Sequence, residues 1–219
     1  MKRKIVLYVI LLVMVVSGAG IGGYYWYEDA NFVSTDDARV SADIYRVMPR
    51  IAGKINSLNV KIGDTVVADQ VVGQQDITNL SNSLLDQATL RAPIGGTVIQ
   101  TSAKPGEVVS PGQAVAMIVD KSKLYVSADV EETKIKKVKI GQPVEFTLDT
   151  YPGVTFTGKV FEIGEAAAST FSLLPTTSTS GSFTKVTQRI TVKMSVDETH
   201  GLDLAPGMNA IIKIHIKGK

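Results

Sequence analysis

The stretch "IAGKINSLNVKIGDTVVADQVV" occupies residues 51–72, and "IGGTVIQTSAKPGEVVSPGQAV" occupies residues 94–115. Laid over each other without gaps at an offset of 43, they pair Gly53 with Gly96, Ile55 with Val98, Lys61 with Lys104 and Gly63 with Gly106. The same offset pairs Asp64 with Glu107, Val66 with Val109, Gln70 with Gln113 and Val72 with Val115. Agreement in both turn residues and apolar residues marks two copies of one structural unit. Two copies are too few for a stacked solenoid and suit the two halves of one small domain. In the second copy "KPGE" (104–107) and "SPGQ" (110–113) set Pro then Gly at the turn centre, where a fixed φ followed by a positive φ favours a type II turn. Gly53, Gly63, Gly96, Gly106 and Gly112 are the candidate turn glycines of the half-motifs.

Outside the repeat the apolar residues alternate with a period of two, the signature of strands. Val40, Ala42 and Ile44 alternate, then Leu58, Val60 and Ile62, then Leu124, Val126, Ala128 and Val130. Val144, Phe146 and Leu148 follow, then Ile190, Val192, Met194 and Val196, and last Met208, Ala210, Ile212, Ile214 and Ile216. The chain beyond residue 30 is expected to be mainly antiparallel β. One short helix is expected in "EETKIKKVKIGQP" (131–143), where Ile135 and Val138 share a face, Glu132 can pair with Lys136, and Gly141 with Pro143 ends the turn. Its lysines read as a solvated face.

The formal charge of the 219 residues is +2, and Lys2, Arg3 and Lys4 supply three of the 23 basic residues, which leaves the rest balanced against 21 acidic ones. Such a body offers no nucleic-acid surface. The absence of cysteine excludes a disulfide framework and a thiolate metal site. Residues 5–27, "IVLYVILLVMVVSGAGIGGYYWY", carry no charge, and about 20 such residues cross a bilayer core. Basic residues precede the run and the aromatic cluster at 24–27 closes it, as expected for a cytoplasmic N-terminus and an outer aromatic belt. A cleaved signal peptide, with residues 5–16 as its apolar core, is the competing reading; the apolar run continues past any such cleavage site, which favours an uncleaved single-pass anchor. Gly18 and Gly22 have the spacing that lets two helices pack closely, and equally the tolerance of small residues in lipid.

Two half-motifs of this kind resemble the flattened sandwich of biotinyl and lipoyl carriers. A carrier bears its modified lysine between the halves, and the joining segment "DITNLSNSLLDQATLRAP" (76–93) has no lysine. "TLRAPIGGTVIQ" (89–100) resembles instead the re-entry into the second lipoyl half in the membrane fusion, or periplasmic adaptor, family of hemolysin-D type. "VSTDDARVSADIYRVMPRIAGKI" (33–55), "IGQPVEFTLDTYPGVTFTGKVFEIGEAAASTFSLLPTTSTSGSFTKVTQRITVKM" (140–194) and "LAPGMNAIIKI" (204–214) narrow the resemblance to the EmrA-like branch. The resemblance implies a cytoplasmic tail (1–4), a transmembrane helix (5–27), and a membrane-proximal β domain from 31–47 plus 164–219. It further implies a lipoyl-like sandwich over 48–120 and an adaptor-type β-barrel over 121–163. The connector at 77–90 departs from the long hairpin of adaptors that reach an outer-membrane channel. Its 14 residues would extend about 21 Å as one helix at 1.5 Å per residue, which cannot bridge a periplasm.

By the same resemblance the chain is an accessory subunit of a multidrug or small-molecule exporter. Its partner would be an inner-membrane permease of the major facilitator class, and it would assemble as a homo-oligomer. An adaptor of an ATP-driven exporter, or an envelope scaffold or ligand-binding protein, are the alternatives. No catalytic constellation, metal site or cofactor site is expected: His200 and His215 stand alone, and adjacent Asp36 and Asp37 in an extended segment should point to opposite faces. Those two aspartates serve equally as polar spacing above the membrane or as a transporter contact. The segment "GEAAASTFSLLPTTSTSGSFTKVTQ" (164–188) is rich in Ser and Thr yet carries Phe171, Leu173, Leu174 and Phe183. Large apolar groups in a polar loop point to a partner, and all four are candidate transporter contacts. Phe183, next to the Ile190 strand, also fits an ordinary core.

Overall fold

The computed structural model describes residues 2–78, 84–167 and 187–216, with side chains from residue 11 onward. Its first element, α1 (Lys2–Asn31), passes without a break into β1 (Phe32–Ser41). Among the described residues no helix is long and apolar enough to cross a membrane; the side chains of residues 5–10, the start of the expected span at 5–27, lie outside the description. The chain then divides into two units, one of residues 40–125 with 203–206, the other of residues 1–39, 126–202 and 207–219.

The first unit is a sandwich made of the repeat. β2 (Ile44–Val47), β3 (Gly53–Leu58), β4 (Thr65–Val66) and β5 (Val71–Gln75) are followed by β6 (Thr89–Arg91), β7 (Gly96–Thr101), β8 (Val108–Val109) and β9 (Ala116–Val119). β3 and β4 recur as β7 and β8 with both boundaries shifted by the repeat offset of 43. The two sheets run β2-β9-β7-β4 and β6-β5-β3-β8, so exchanging the halves turns one order into the other. Each half lends its shortest strand to the other: β4 pairs with β7, and β8 with β3. The backbone bonds are reciprocal as well, Gly63 N–H donating to Val98 C=O and Gly106 N–H to Ile55 C=O, both at 2.8 Å. Ile55, Val66 and Val72 meet Val98, Val109 and Val115 in one buried core. Neither half can bury its apolar face alone, which is the physical reason for the repeat.

The second unit is a closed six-stranded barrel. β10 (Tyr125–Glu131), α2 (Glu132–Ile135), β11 (Pro143–Leu148), β12 (Thr155–Ala167), β13 (Arg189–Ser195) and β14 (Asn209–His215) join β1 in the order β1-β10-β13-β12-β11-β14. Val126, Ala128 and Val130 face inward, as do Val144, Phe146 and Leu148, Val192 and Met194, and Ala210, Ile212 and Ile214. The Phe146 and Phe156 rings stack in this core, 5.4 Å apart.

Several expectations are corrected. The two β modules expected separately, 31–47 with 164–219 and 121–163, are one barrel, because β1 and β14 close the sheet that β10 to β13 leave open, and closure removes unpaired strand edges. β2, expected in the membrane-proximal module, belongs to the sandwich, where it pairs with β9 and leaves Ile44 exposed. The connector expected over 77–90 ends earlier, in a 3-10 turn at Asp86–Ala88 and in β6, where Ala88 and Leu90 are buried. The helix at 131–143 amounts to one turn, and Lys134 pairs with Glu131 there, 3.8 Å apart. Gly53 and Gly96 are not turn residues; they open β3 and β7. Gly63, Gly106 and Gly112 do sit at turns with φ of 96°, 97° and 90°.

Candidate functional site

Strand direction assigns one end of the barrel to α1. β1 runs away from the helix, and antiparallel β14 returns to set His215 opposite Phe32. β11 therefore starts at that end, with Val144 opposite Ile214. β12, antiparallel to β11, finishes there, and β13 begins there, Ile190 opposite Ala167. Residues 167 and 187, which flank the 168–186 segment, thus belong to the same end of the barrel as the C-terminus of α1.

Polar contacts fasten the helix to this end. Ile216 N–H donates to Asn31 C=O at 2.8 Å, continuing the β1–β14 ladder into the helix terminus. Lys213 Nζ lies 2.6 Å from Glu28 Oε1, and Lys137 Nζ 3.3 Å from Asp29 Oδ2 and 3.1 Å from Asp29 C=O. The hydrogen bond from Lys213 holds the Glu28 carboxyl below the usual carboxylate range, and the same contact raises the Lys213 ammonium. Lys213 also stands 5.1 Å from the centre of the Phe32 ring, and the His215 ring meets Phe32 edge-on at 4.8 Å. Gln142 Nε2 donates to both Lys137 C=O (3.2 Å) and Ile216 C=O (3.3 Å), tying the 137–142 segment to the last strand.

Asp36 and Asp37 are both exposed, contrary to the expectation of opposite faces. The register slips between Thr35 and Ala38, and this bulge switches the inward residues from Val33 to Ala38 and Val40. A bulge adds a residue to one strand and re-aims its side chains. Asp37 forms an ion pair with Arg189, the first residue of β13, so a residue that served equally as polar spacing or as a transporter contact has a partner within the chain. Thr191 Oγ1 donates to Asp129 Oδ1 at 2.6 Å and Thr35 Oγ1 to Asp129 C=O at 3.2 Å, which extends the polar seam across β1, β10 and β13. Phe171, Leu173, Leu174 and Phe183 lie outside the described residues. The tethers through Glu28, Asp29, Lys137 and Lys213 escaped the sequence reading, although Lys213 falls on the outward parity of β14, a signal that was there to use.

His215 Nε2 is 3.1 Å from Glu145 Oε1, and His200 Nδ1 3.9 Å from Glu198 Oε2, two separate surface pairs. Among the described residues no cluster of His, Asp and Glu could hold a metal ion. In the sandwich a shallow cavity of about 270 Å³ is lined by Asp43, Tyr45, Asp120 and Lys123. The Asp120 carboxylate there accepts from Ser122 Oγ (2.6 Å) and Ser122 N–H (3.0 Å), contacts that lower its pKa and leave it committed to its own turn.

Two family models match the chain: the "RND MFP, barrel-sandwich hybrid domain" over residues 43–121 and the "YknX-like beta-barrel domain" over residues 124–214. The chain is 36% identical to the "Putative efflux system component YhbJ" of Bacillus subtilis, across 97% of this chain and 92% of that protein. It is 35% identical to the "Colistin resistance protein EmrA" of Acinetobacter baumannii across 66% of this chain, but spans only 42% of that protein's length. The fold is similar to that of the membrane fusion protein Spr0693 from Streptococcus pneumoniae R6, with a TM-score of 0.62 at 16% identity, covering 85% of this chain and 99% of that one.

Proposed function

The chain belongs to the membrane fusion family of efflux-system adaptors, non-enzymatic scaffolds that work with transporters, and from that premise we propose how it is anchored and what it holds. Residues 5–27 span the cytoplasmic membrane once, with Lys2, Arg3 and Lys4 inside and the barrel and sandwich outside. The partner is an inner-membrane efflux permease of the major facilitator class, which the chain meets as a homo-oligomer. Its connector is too short to reach an outer-membrane channel. The adaptor does no chemistry; its contact favours the outward-releasing form of the permease, which requires only that it bind that form more tightly.

One observation carries this reading: the terminus of α1 and both ends of the 168–186 segment belong to the same end of the barrel. A permease beside the anchor then lies next to both ends of the segment whose sequence carries Phe171, Leu173, Leu174 and Phe183. Asp36 and Asp37 contribute polar surface at the rim, Asp37 through its pair with Arg189. Interface energy concentrates in a few large apolar side chains, each worth about 2 kcal/mol or more at a hot spot. Replacing Phe171 and Leu174 together by Ser in the full-length chain should cut co-purification of the permease and lower drug tolerance, with an unchanged melting temperature. Unchanged co-purification and export would remove the contact. A reporter active only outside the cytoplasm, fused after Lys219, tests the anchor, and its silence would overturn the topology.

A further inference from the structure

The turn at residues 139–142 stands out on the barrel. Ile140 is 69% exposed at its tip, and Gly141 with φ of 89° makes the reversal. Lys139 N–H donates to Gln142 Oε1 at 2.9 Å, so the turn is fixed rather than frayed. The barrel end that carries α1 also carries this turn: Lys137 reaches Asp29, and Gln142 binds the carbonyl of Ile216, whose own N–H binds Asn31. Asp29 lies less than one helical turn beyond the exposed aromatic cluster at 24–27, the residues that sit at headgroup level when 5–27 spans. Lys136 and Lys139 are exposed, with no ion pair among the described residues. Of the other charges facing this end, Lys134 is paired with Glu131, Lys137 with Asp29, Lys213 with Glu28 and His215 with Glu145, and Glu132, four residues before Lys136, is the exposed acidic group on the same element.

We infer that Lys136, Lys139 and Ile140 form a second, shallow contact with the membrane, in which Ile140 enters the headgroup layer and the two lysines face anionic phospholipid. The inference rests on the proposed span at 5–27. The occupant follows from continuity with the aromatic cluster and from charge: an apolar tip flanked by free ammonium groups, held at headgroup level, fits an anionic bilayer surface. Two membrane contacts would fix the tilt of the barrel over the bilayer, adding a second point of attachment to the one that α1 and its tethers supply. Each lysine near an anionic surface is worth a factor of about five in the ratio of docked to undocked barrel.

The chain contains no cysteine, so Ile140→Cys gives a single labelling site for an environment-sensitive fluorophore. Ile62→Cys is the control, since Ile62 is 64% exposed in the matching Lys-Ile-Gly turn of the sandwich. The labelled full-length protein is reconstituted into phosphatidylcholine vesicles with and without phosphatidylglycerol, and flotation is scored first. The expected result is a blue-shifted label at residue 140, quenched by headgroup spin labels and dependent on phosphatidylglycerol, with residue 62 unshifted. Lys136→Gln with Lys139→Gln should lower the docked ratio more than tenfold. Protein that floats while the label at 140 stays aqueous, or responds no more than the label at 62, overturns the docking and leaves the anchor standing. Protein that fails to float overturns the anchor and the docking with it.

Discussion

The two halves of the sandwich repeat the same strands yet differ at the exit of their third one. In the first half β5 ends at Gln75, and Asp76 N–H makes one last bond to Lys54 C=O, 2.8 Å, before the chain leaves for the connector. In the second half β9 continues to Val119, held between β7 and β2, with Thr97 opposite Val119 on one side and Ile44 on the other. A polar side chain stands at the exit and an apolar one at the continuation: Gln75 is buried to 1% exposure, its Nε2 donating to Ile51 C=O at 3.0 Å and its Oε1 without a partner, while Ile118 occupies the equivalent place. Symmetry of fold therefore coexists with asymmetry of packing, and the asymmetry is set by where the chain must go next.

The equivalent glycines Gly53 and Gly96 break the symmetry most. A Cβ on Gly96 would lie 2.2 Å from the Val119 carbonyl oxygen, a backbone atom fixed by two neighbouring strands. A Cβ on Gly53 would meet only the amide end of Gln75, at 3.2 Å, which can shift. Gly96→Ala should destabilise the full-length chain by about 3 kcal/mol, the upper range for overpacking, and Gly53→Ala by less than about 1 kcal/mol. Urea midpoints in detergent measure both. Equal midpoints for the two variants would mean that β9 yields as readily as Gln75 does.

A smaller effect, equal in the two halves, is expected at the turns. Gly63 and Gly106 have nearly the same positive φ, 96° and 97°, and a Cβ on either would meet nothing within 4 Å. The turns are closed alike, Lys61 N–H donating to Asp64 Oδ2 at 2.8 Å and Lys104 N–H to Glu107 Oε2 at 3.1 Å. Backbone strain is then the whole cost of a β-branched residue, about 2 kcal/mol for each Gly→Val replacement. A difference of more than about 1 kcal/mol between the two variants would show that Pro105, which precedes only the second glycine, changes the turn.

These turns were legible in the sequence because their chemistry is local: a glycine for positive φ, with Pro before it in the second half. The inner face of the barrel was legible for a similar reason, since alternation over Val126, Ala128 and Val130 needs only the period of a strand. Closure was not, because pairing β1 with β14 joins residues 32 and 215, and no local pattern states that. The bulge that turns both Asp36 and Asp37 outward was also hidden, since an extra residue in one strand is defined only against its partner. Gly53 and Gly96 were misread as turn residues because close approach to another strand leaves the same glycine in the sequence as a turn does. Nor does the sequence state the ion pairs of the connector: the Arg91 guanidinium lies 3.8 Å from Asp86, while Asp76 accepts from Thr78 N–H at 2.9 Å. At the candidate site the tether was missed for want of tertiary context, and the four apolar residues of 168–186 lie outside the described residues.

The smallest effect is expected where the halves use different residues for one conformation. Asp69 has φ of 66° at the place where the second half has Gly112, with φ of 90°. The surrounding bonds belong to the backbone: Asp69 N–H donates to Ala92 C=O at 2.8 Å, and Asp69 C=O accepts from the Arg91 guanidinium at 3.0 Å. Replacing Asp69 by Gly keeps those bonds and relieves the left-handed strain, which is mild for aspartate. It also gives the unfolded chain more freedom, which costs about 0.4–1 kcal/mol. The two terms oppose each other, so Asp69→Gly should change stability by no more than about 0.5 kcal/mol. Asp69→Ala gains neither glycine's freedom nor a polar side chain suited to the left-handed region, and should lose about 1 kcal/mol. If both replacements instead lost more than about 1.5 kcal/mol in the same urea titration, the carboxylate that both lack would be holding the first half together, and the two turns would be alike in shape but not in what stabilises them.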